Sequence, residues 1–394
     1  MSNPVKVLML TQYPFTAEDE RLGGIMQASF RLVHALATLE DGRIELHVAT
    51  ETAGVGAPKR RSLSRNASVT FFPRSERIFD RLLFGYPHAK KLLGLTIDEV
   101  KPDIVHAQGT ANYIFAATQC RLPHVITIHG IYRNEMKVAR SKPGISGWVA
   151  RHAKTFVEEL YAARIQSLIA ITGEVAQFVK RRSPGVRVFQ IDNPIDADFF
   201  GIQPLAMSGS PTILFVAAIT YRKGLDYLLE AFVDVLPRIP SARLRIAGIW
   251  HWDRNYVSGL QTKYAAHVAR GAVSFLGGIS QESLLREMAD ATLLCVPSRS
   301  ESAPLVISQA MAAGRPVIAS RVGGIPSMIE DGVTGRLWTV GDVGALANLL
   351  EEVLLDGEAA QAMGKAGRAA ALDRYADQAV AIRTVEAYLQ VADA

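Results

Sequence analysis

One stretch in the second half of the chain, residues 298–324, holds the residue types best suited to chemistry. It opens with a polar loop whose single carboxylate is Glu301, directly after an apolar run that predicts a buried strand. A helix is expected to follow, with Ser302 as its cap, Pro304 in its first turn and its end at Gly314. The sequence therefore predicts a strand, a loop and a helix N-terminus around one carboxylate.

The first turn of this helix has the chemistry of an anion site. Its backbone amides, at Leu305 and Val306, have no acceptor within a helix, and the positive end of the helix dipole lies beside them. Glu301 comes just before these amides, and Gln309 follows one turn after Leu305. We therefore expect this segment to bind a diphosphate, with the Glu301 and Gln309 side chains reaching hydroxyl groups on either side of it.

Length and composition predict a two-domain globular protein. At 394 residues the chain is too long for one ordinary core, and 49% hydrophobic with 21% charged residues is typical of a well-packed protein. No apolar run approaches the roughly 18 residues that a bilayer span requires. A strand expected at Val5–Leu10 leaves no room for a secretion signal, and Cys120 and Cys295 lie in apolar contexts typical of reduced core thiols. We expect a cytoplasmic protein.

Short β-branched runs alternate with amphipathic runs of helix length along the whole chain. Among the strands that these runs predict are His124–Ile128 and Arg243–Ala247. Such alternation predicts parallel sheets with helices on both faces, and the pattern breaks only in a Gly- and Pro-rich segment at 196–211. The fold class predicted is α/β, with two doubly wound Rossmann-like domains facing a central cleft at the carboxyl ends of their strands. The expected segments are an N-terminal domain at 1–195, a linker at 196–211, a C-terminal domain at 212–375, and a C-terminal helix at 376–394 packing back toward the N-terminal domain. The helical pattern itself predicts one helix over 358–392.

A series of short motifs runs in a fixed order through these elements. They are Tyr13-Pro14, Gly23-Gly24, Pro102-Asp103, Thr127-Ile128-His129-Gly130, Ala170-Ile171-Thr172, Asn193-Pro194-Ile195-Asp196, Arg222-Lys223-Gly224-Leu225-Asp226, Ala247-Gly248, the Glu301 loop and Gly323-Gly324. With these motifs the chain resembles the retaining glycosyltransferases of the GT-B type, specifically glycosyltransferase family 4 (glycosyl transferases group 1). The resemblance covers some 300 residues and rests on the order of the motifs, because each one alone is weak.

The resemblance implies a function in polysaccharide or glycolipid biosynthesis. It implies a nucleotide-diphosphate sugar donor held mainly by the second domain and a glycan or lipid-linked acceptor held by the first. It also implies transfer with retention at the anomeric carbon, with no metal and no cofactor. The departing diphosphate would take the acceptor proton, so no side-chain nucleophile is required.

The resemblance also implies roles for individual residues. Lys223 would stabilise the charge that grows on the leaving β-phosphate, with Arg222 as a second cation. Glu301 would hold hydroxyl groups of the transferred sugar, and His129 would contact the sugar and the acceptor. The alternatives are a solvated helix start for the Arg-Lys pair, an exposed loop acid for Glu301 and a hydrogen-bonded core residue for His129. For His106, in the same setting, we expect the structural role.

The remaining donor-binding positions are backbone groups and an apolar contact. Gly23 and Gly24 would let the first loop approach the diphosphate closely, and Gly323-Gly324 would bring further amides or simply allow tight packing. Ile279, after two glycines, stands where the family packs the nucleobase.

Three positions depart from the family pattern and leave alternatives open. The second carboxylate of the family motif is here Gln309, an arginine usual before the lysine is Ala218, and a glycine in the helix-opening turn is Pro304. A neutral amide loses charge-assisted hydrogen bonds worth roughly 1.5–3 kcal/mol against about 1 kcal/mol for neutral ones. The alternatives are therefore a catalytically weakened nucleotide-sugar-binding partner or regulator, or a sugar-nucleotide epimerase on the same scaffold.

Positive charge is concentrated in two places. Residues 59–91 hold nine Lys or Arg and two acids, and residues 132–154 hold six and one. Within them, segments 74–95 and 137–154 interleave cations with Phe, Leu and Trp, a pattern that suits an anionic membrane surface and equally an ordinary amphipathic helix. No recognition motif accompanies the charge, so we expect no nucleic-acid partner.

Overall fold

A computed structural model describes most of the chain as two compact units. The described residues are 3–16, 23–39, 42–53, 55–74, 87–109, 111–138, 145–203 and 210–393. Among them, the first unit comprises 3–133, 145–194 and 374–393, and the second comprises 134–138 and 195–373.

The first unit is built on one eight-stranded sheet. Its elements, with the short helix α4 that follows β6, are β1 (Val5–Leu10), α1 (Gly24–Thr38), β2 (Ile44–Thr52), β3 (Lys59–Ser64), β4 (Ala67–Pro73), α2 (Pro87–Val100), β5 (Ile104–Gln108), α3 (Ala111–Ala117), β6 (His124–Ile128), α4 (Tyr132–Lys137), α5 (Ile145–Ala162), β7 (Ser167–Ala170), α6 (Gly173–Lys180) and β8 (Arg187–Gln190). The strand order is β3-β4-β2-β1-β5-β6-β7-β8, and every pairing except that of β3 with β4 is parallel. The central strands β5, β6 and β7 are buried along their whole length, as helices on both faces of a parallel sheet require.

The antiparallel edge strand β3 is absent from the sequence-based expectation. Its sequence, Lys-Arg-Arg-Ser-Leu-Ser, is exposed at its first four residues and carries no apolar alternation. Charged side chains are typical of edge strands, where they discourage pairing with another chain. Strand β3 is therefore formed by backbone pairing with β4, and no hydrophobic pattern in its sequence reveals it.

The second unit is built on a six-stranded parallel sheet. Its elements are β9 (Thr212–Val216), α7 (Leu225–Val235), β10 (Arg243–Ala247), α8 (Arg254–Lys263), α9 (Ala265–Ala269), β11 (Val273–Gly277), α10 (Gln281–Asp290), β12 (Leu293–Val296), α11 (Leu305–Ala312), β13 (Val317–Ser320), β14 (Arg336–Trp338), α12 (Val343–Leu355) and α13 (Gly357–Tyr375). The order β11-β10-β9-β12-β13-β14 places β9 and β12 side by side at the point where the winding reverses. In open parallel sheets, ligands bind at the carboxyl ends of the strands that meet there.

The predicted single helix at 358–392 is two helices. Ala376 adopts an extended conformation between α13 and α14 (Asp377–Ala392). Buried residues of α14 belong to the hydrophobic core of the first unit, whereas α13 up to Asp373 belongs to the second. The break at Ala376 thus lies next to the point where the chain passes from the second unit to the first.

Several predicted segments fall partly outside the described residues. Residues 75–86 of the basic segment 74–95, residues 139–144 of the basic segment 137–154 and residues 204–209 of the predicted linker are among them. Across the described parts of the chain, no helix has both the length and the apolar character needed to cross a membrane.

Candidate active site

The candidate site of the second unit lies at the carboxyl ends of the adjacent strands β9 and β12. The loop after β9 contains Arg222 and Lys223, and the loop after β12 contains Glu301. The two strands are neighbours in the sheet although about 80 residues separate them along the chain. Sheet order therefore brings together three residues that the sequence singled out separately.

A tight backbone turn sets the direction of the two cations. Tyr221–Lys223 forms a single 3-10 turn, in which the Lys223 amide donates to the Thr220 carbonyl at 2.9 Å. Gly224 then adopts a left-handed conformation, with φ of 68°, and is the N-cap residue of α7. Arg222 and Lys223 are thus held at a turn between strand β9 and helix α7.

The three charged side chains form one ion cluster. The Lys223 ammonium donates to Oε1 of Glu301, which also accepts from the Ser298 hydroxyl at 2.8 Å. Nη1 of Arg222 lies 3.4 Å from Oε2 of Glu301 and donates to the Ser300 carbonyl at 2.8 Å. Two cations against one carboxylate leave a local excess of positive charge, which is what a diphosphate requires.

Glu301 is ionised at neutral pH despite its burial. Its side chain is 7% exposed. Burial alone would raise its pKa, but the Lys223 ammonium and the Arg222 guanidinium more than offset this, so the pKa of Glu301 lies below its usual range. The Glu301 side chain is therefore a hydrogen-bond acceptor with no proton of its own to donate.

Residues at the end of strand β13 and in the loop after it form hydrogen bonds to backbone carbonyl groups of the Glu301 loop. The Ser320 hydroxyl, at the end of β13, donates to the Ser298 carbonyl at 2.5 Å. The Gly324 amide lies 3.4 Å from the Glu301 carbonyl, just after Gly323 with φ of 53°. At least one amide of the predicted glycine pair is thus directed at the Glu301 backbone.

The helix after Glu301 begins later than predicted. Helix α11 starts at Leu305, Pro304 occupies the flanking position before it, and no side chain caps it. The prediction that Ser302 caps the helix and Pro304 lies within its first turn is therefore wrong. Pro304 has ψ of 115°, an extended value outside the helical range. The amides of Leu305 and Val306 keep their place at the helix start, because they are its first two residues.

Two other predicted donor contacts lie elsewhere in the second unit. Gln309 is a half-buried residue of α11, one turn beyond Leu305. Ile279 is half-buried after β11, and Ser280 beside it caps α10 through the Ser283 amide. Strand β11 is at the edge of the sheet, two strands away from β9. Ile279 is therefore farther from the reversal point than the ion cluster is.

A second set of polar residues around the cluster was not predicted. Arg299 forms a bidentate ion pair with Asp226, at 2.8 and 2.6 Å, and the Tyr256 hydroxyl donates to the same carboxylate at 2.7 Å. Asp226 stands in the first turn of α7 and Arg299 two residues before Glu301, so both belong to segments that the sequence had already marked. The only sequence feature that pointed to this pair was the opposite charge of two residues, on two loops that become adjacent only through the strand order.

In the first unit, His129 follows strand β6. Its Nε2 is buried and has no hydrogen-bond partner among the described residues, and burial lowers the pKa of His129 to about 4. The backbone after it is anchored, because the buried Glu158 carboxylate accepts from the Tyr132 amide at 2.7 Å and from the Arg133 amide at 3.4 Å. His129 is therefore a neutral imidazole with one unsatisfied ring nitrogen.

His106 has the structural role expected of it. It is fully buried on β5, with Nδ1 2.6 Å from the Tyr388 hydroxyl of α14 and Nε2 2.9 Å from the Thr127 hydroxyl. Burial, with a smaller contribution from nearby His129, lowers its pKa to about 3. Both ring nitrogens are occupied, so His106 fixes α14 to the sheet of the first unit.

The first glycine loop is described only at its end. Gly23, with φ of 69°, flanks α1, and Gly24 is the first residue of that helix. Residues 17–22 before them lie outside the described part of the chain.

Gly224→Ala is expected to destabilise the second unit by more than about 2 kcal/mol. A Cβ at this position would lie 1.9 Å from the Pro297 carbonyl oxygen, and φ of 68° is unfavourable for alanine. The matched control is Gly259→Ala in α8, where a Cβ meets nothing within 4 Å and alanine favours the helix by up to about 1 kcal/mol. Urea denaturation measures both, and equal stability of the two variants would contradict the close approach of the two loops.

Comparisons with known proteins agree with this architecture. Residues 22–199 match the model of glycosyltransferase family 4, and residues 201–370 match that of glycosyl transferases group 1. Sulfoquinovosyl transferase from Arabidopsis thaliana is 26% identical over 283 residues, which cover 69% of this chain and 54% of that protein. The alignment thus spans about half the length of this curated relative.

Solved structures give the fold. Sucrose-phosphate synthase from Thermosynechococcus elongatus superposes with a TM-score of 0.76 at 21% identity, over 98% of this chain and 99% of that one. HepE from Anabaena, solved in complex with UDP and glucose, gives a TM-score of 0.69 at 18% identity, over 98% and 100% of the two chains. Both halves match their family model and both sheets have the expected winding, so the chain belongs to glycosyltransferase family 4 and its fold class is GT-B.

Proposed function

We propose that this protein is a retaining glycosyltransferase that moves a sugar from a nucleotide-diphosphate donor to a glycan or lipid-linked acceptor in polysaccharide or glycolipid biosynthesis. The observation that carries the proposal is the cluster of Lys223, Arg222 and Glu301 at the reversal point of the second sheet. The complex of HepE with UDP and glucose supports a donor of this class.

In this proposal, different residues of the second unit bind the donor and stabilise the diphosphate as it leaves. The amides of Leu305 and Val306 and the cations Lys223 and Arg222 bind the diphosphate. As the bond between the anomeric carbon and the phosphate oxygen breaks, negative charge grows on the diphosphate, and the Lys223 ammonium stabilises it. Glu301 accepts hydrogen bonds from hydroxyls of the transferred sugar.

The proposed transfer takes place on the face from which the diphosphate leaves. The acceptor oxygen bonds to the anomeric carbon, and its proton passes to the departing phosphate, so configuration is retained without a side-chain nucleophile. Neutral His129 is suited to hydrogen-bonding the sugar or acceptor, because its buried Nε2 is unsatisfied among the described residues. The two fixed cations perform the charge neutralisation that a metal ion would otherwise perform, and we propose that no metal is required.

Gln309 and Ala218 favour one rival, a nucleotide-sugar-binding partner or regulator with little turnover. Gln309 keeps hydrogen bonds to hydroxyls without the charge-assisted part, and Ala218 provides no cation. Arg222 compensates in the proposed scheme, because it already contacts Glu301 beside Lys223. An epimerase would instead convert the donor into a nucleotide sugar with one ring carbon inverted, with no net release of nucleoside diphosphate.

A donor panel tests the proposal. The protein is incubated with UDP-, GDP- and ADP-sugars, with and without glycan and lipid-linked acceptors and with and without EDTA, and released nucleoside diphosphate is measured. Acceptor-dependent release that survives EDTA, with product of the donor's anomeric configuration by NMR, is the expected result. Binding with an unchanged donor identifies the regulator, conversion of the donor into its epimer without net release identifies the epimerase, and an inverted product ends the retaining mechanism. Absence of binding to any nucleotide sugar overturns the whole proposal.

We further propose that the first unit contacts an anionic membrane through helix α5. Trp148 and Phe156 are 56% and 55% exposed, and their spacing of eight positions, about two helical turns, places both on one side of the helix. Arg151 and Lys154 lie on the same helix, between these two aromatic residues in the sequence. Apolar anchors with flanking cations suit an anionic lipid surface. Co-sedimentation with anionic vesicles, reduced in Trp148→Ser and by 0.5 M salt, is expected; equal binding to neutral vesicles would contradict the idea.

A further inference from the structure

We propose that Arg299 is a positioning residue that holds the Lys223 ammonium in register with Glu301. The inference rests on the function proposed above for Lys223. It adds a residue that makes no proposed contact with substrate and acts through two loops of the second unit.

Arg299 bonds to the cation turn through its backbone and its side chain. Its amide donates to the Arg222 carbonyl at 2.8 Å, and its Nη1 donates to the Tyr221 carbonyl at 2.7 Å. In return, Nη1 of Arg222 donates to the Ser300 carbonyl at 2.8 Å. The turn that carries Lys223 is thus joined to the loop that carries Glu301 by three hydrogen bonds, two of them from Arg299.

The Arg299 guanidinium packs between two tyrosine rings and also binds a carboxylate. It lies 3.8 Å from the centre of the Tyr221 ring and 4.0 Å from that of Tyr227, as a cation between two aromatic faces. Its two bonds to Asp226 tie it to the first turn of α7. The Arg299 side chain is 9% exposed, so it is enclosed rather than presented to a substrate.

Tyr256 and Asp253 extend this support to the segment that begins α8. The Tyr256 hydroxyl donates to the Asp226 carboxylate at 2.7 Å and accepts from the Asp226 amide at 3.0 Å. The Asp253 carboxylate accepts from the Tyr221 amide at 3.0 Å. The Tyr221–Lys223 turn is therefore fixed at both its amide and its carbonyl groups.

These contacts matter because the turn has little stability of its own. A 3-10 turn of three residues has few internal bonds, and a lysine side chain is flexible. In a catalytic site, a misplacement of about 1 Å can reduce the rate on the order of 100-fold. Arg299 is suited to prevent such a shift, since only a planar guanidinium can stack between two rings and bind a carboxylate with two parallel bonds.

The test is a double-mutant cycle between Arg299 and Lys223. Arg299→Ala should lower kcat on the order of 100-fold with a smaller change in the KM of the donor, and Arg299→Lys should lower kcat less because it keeps the charge. In the Lys223→Ala background, removal of Arg299 should cost less than about 3-fold, because the group that it positions is already gone. Equal losses in the two backgrounds would overturn the proposal.

Arg245→Ala is the matched control for loss of an ion pair. Arg245 forms a bidentate pair with Glu287 in the same unit, between β10 and α10, and it has no part in the proposed site. Both variants should lower the melting temperature, but only Arg299→Ala should lower kcat. A similar kcat in the two variants would mean that Arg299 is merely structural, which overturns its positioning role.

A crystal structure of Arg299→Ala separates this inference from the proposed function. Loss of the Lys223–Glu301 contact is expected there, whether or not the wild-type protein transfers a sugar. If wild type releases no nucleoside diphosphate, the proposed function fails. If the Lys223–Glu301 contact is unchanged in the variant, the positioning role fails.

Discussion

Lys223→Ala should lower kcat by a factor of 100 to 1,000, on the order measured when one preorganised charge-stabilising donor is removed. The Lys223 side chain is 16% exposed and its ammonium contacts Glu301, so the protein itself holds the ammonium in place. Its attraction to the diphosphate increases as the leaving group gains charge, and the loss therefore falls mainly on turnover. The KM of the donor should change less, because Arg222 and the amides of Leu305 and Val306 still bind the ground-state diphosphate.

Two further lysine variants serve as controls for the Lys223→Ala result. Lys263→Ala removes an exposed lysine at the end of α8 in the same unit and should leave kcat unchanged. Lys223→Arg keeps a cation but changes its reach, and it should recover part of the turnover. Steady-state release of nucleoside diphosphate gives both constants. A Lys223→Ala protein with wild-type kcat would remove the lysine from the mechanism.

The strand pattern could be predicted from sequence because each central strand is a short apolar run. Strands β1, β6 and β10 occupy the predicted bounds, Val5–Leu10, His124–Ile128 and Arg243–Ala247. Strand β3 could not be predicted this way, since its first four residues are exposed and only its pairing with β4 makes it a strand. The break at Ala376 was invisible for a related reason, because the residues around it favour a helix and tertiary packing decides the outcome.

The residues of the candidate site also fall into two groups, those that a local sequence pattern reveals and those that depend on tertiary structure. Lys223 and Glu301 could be found because a cation before a glycine and a carboxylate before a helix are local patterns. Arg299 and Asp226 could not, because their contact depends on two loops being adjacent in space, and no local pattern distinguishes a bidentate pair from two solvated charges. Ser302 was wrongly given the cap because its residue type suits that position, whereas the backbone places Pro304 there.

Glu301→Gln should lower kcat/KM of the donor on the order of 100-fold, which corresponds to about 2.7 kcal/mol of transition-state stabilisation. An amide keeps the shape of the side chain but loses its charge, so hydrogen bonds to sugar hydroxyls weaken. The two cations beside it, Lys223 and Arg222, also lose their counter-charge in the absence of donor. Glu287→Gln in α10, paired with Arg245, is the control and should leave kcat/KM unchanged.

The same variant makes a prediction about stability and pH. The pKa of Glu301 is lowered in the folded protein from an ordinary value of 4.5, because Lys223 and Arg222 outweigh the effect of burial. The unfolded chain therefore binds the proton more readily, and ionised Glu301 stabilises the fold above the unfolded pKa. That contribution is lost as pH falls below 4.5 through the folded pKa. In urea denaturation, the stability advantage of wild type over Glu301→Gln should thus be larger at pH 7 than at pH 4. An advantage that grew on acidification would mean that the folded protein prefers the protonated acid, which would contradict an ionised Glu301 held by Lys223 and Arg222.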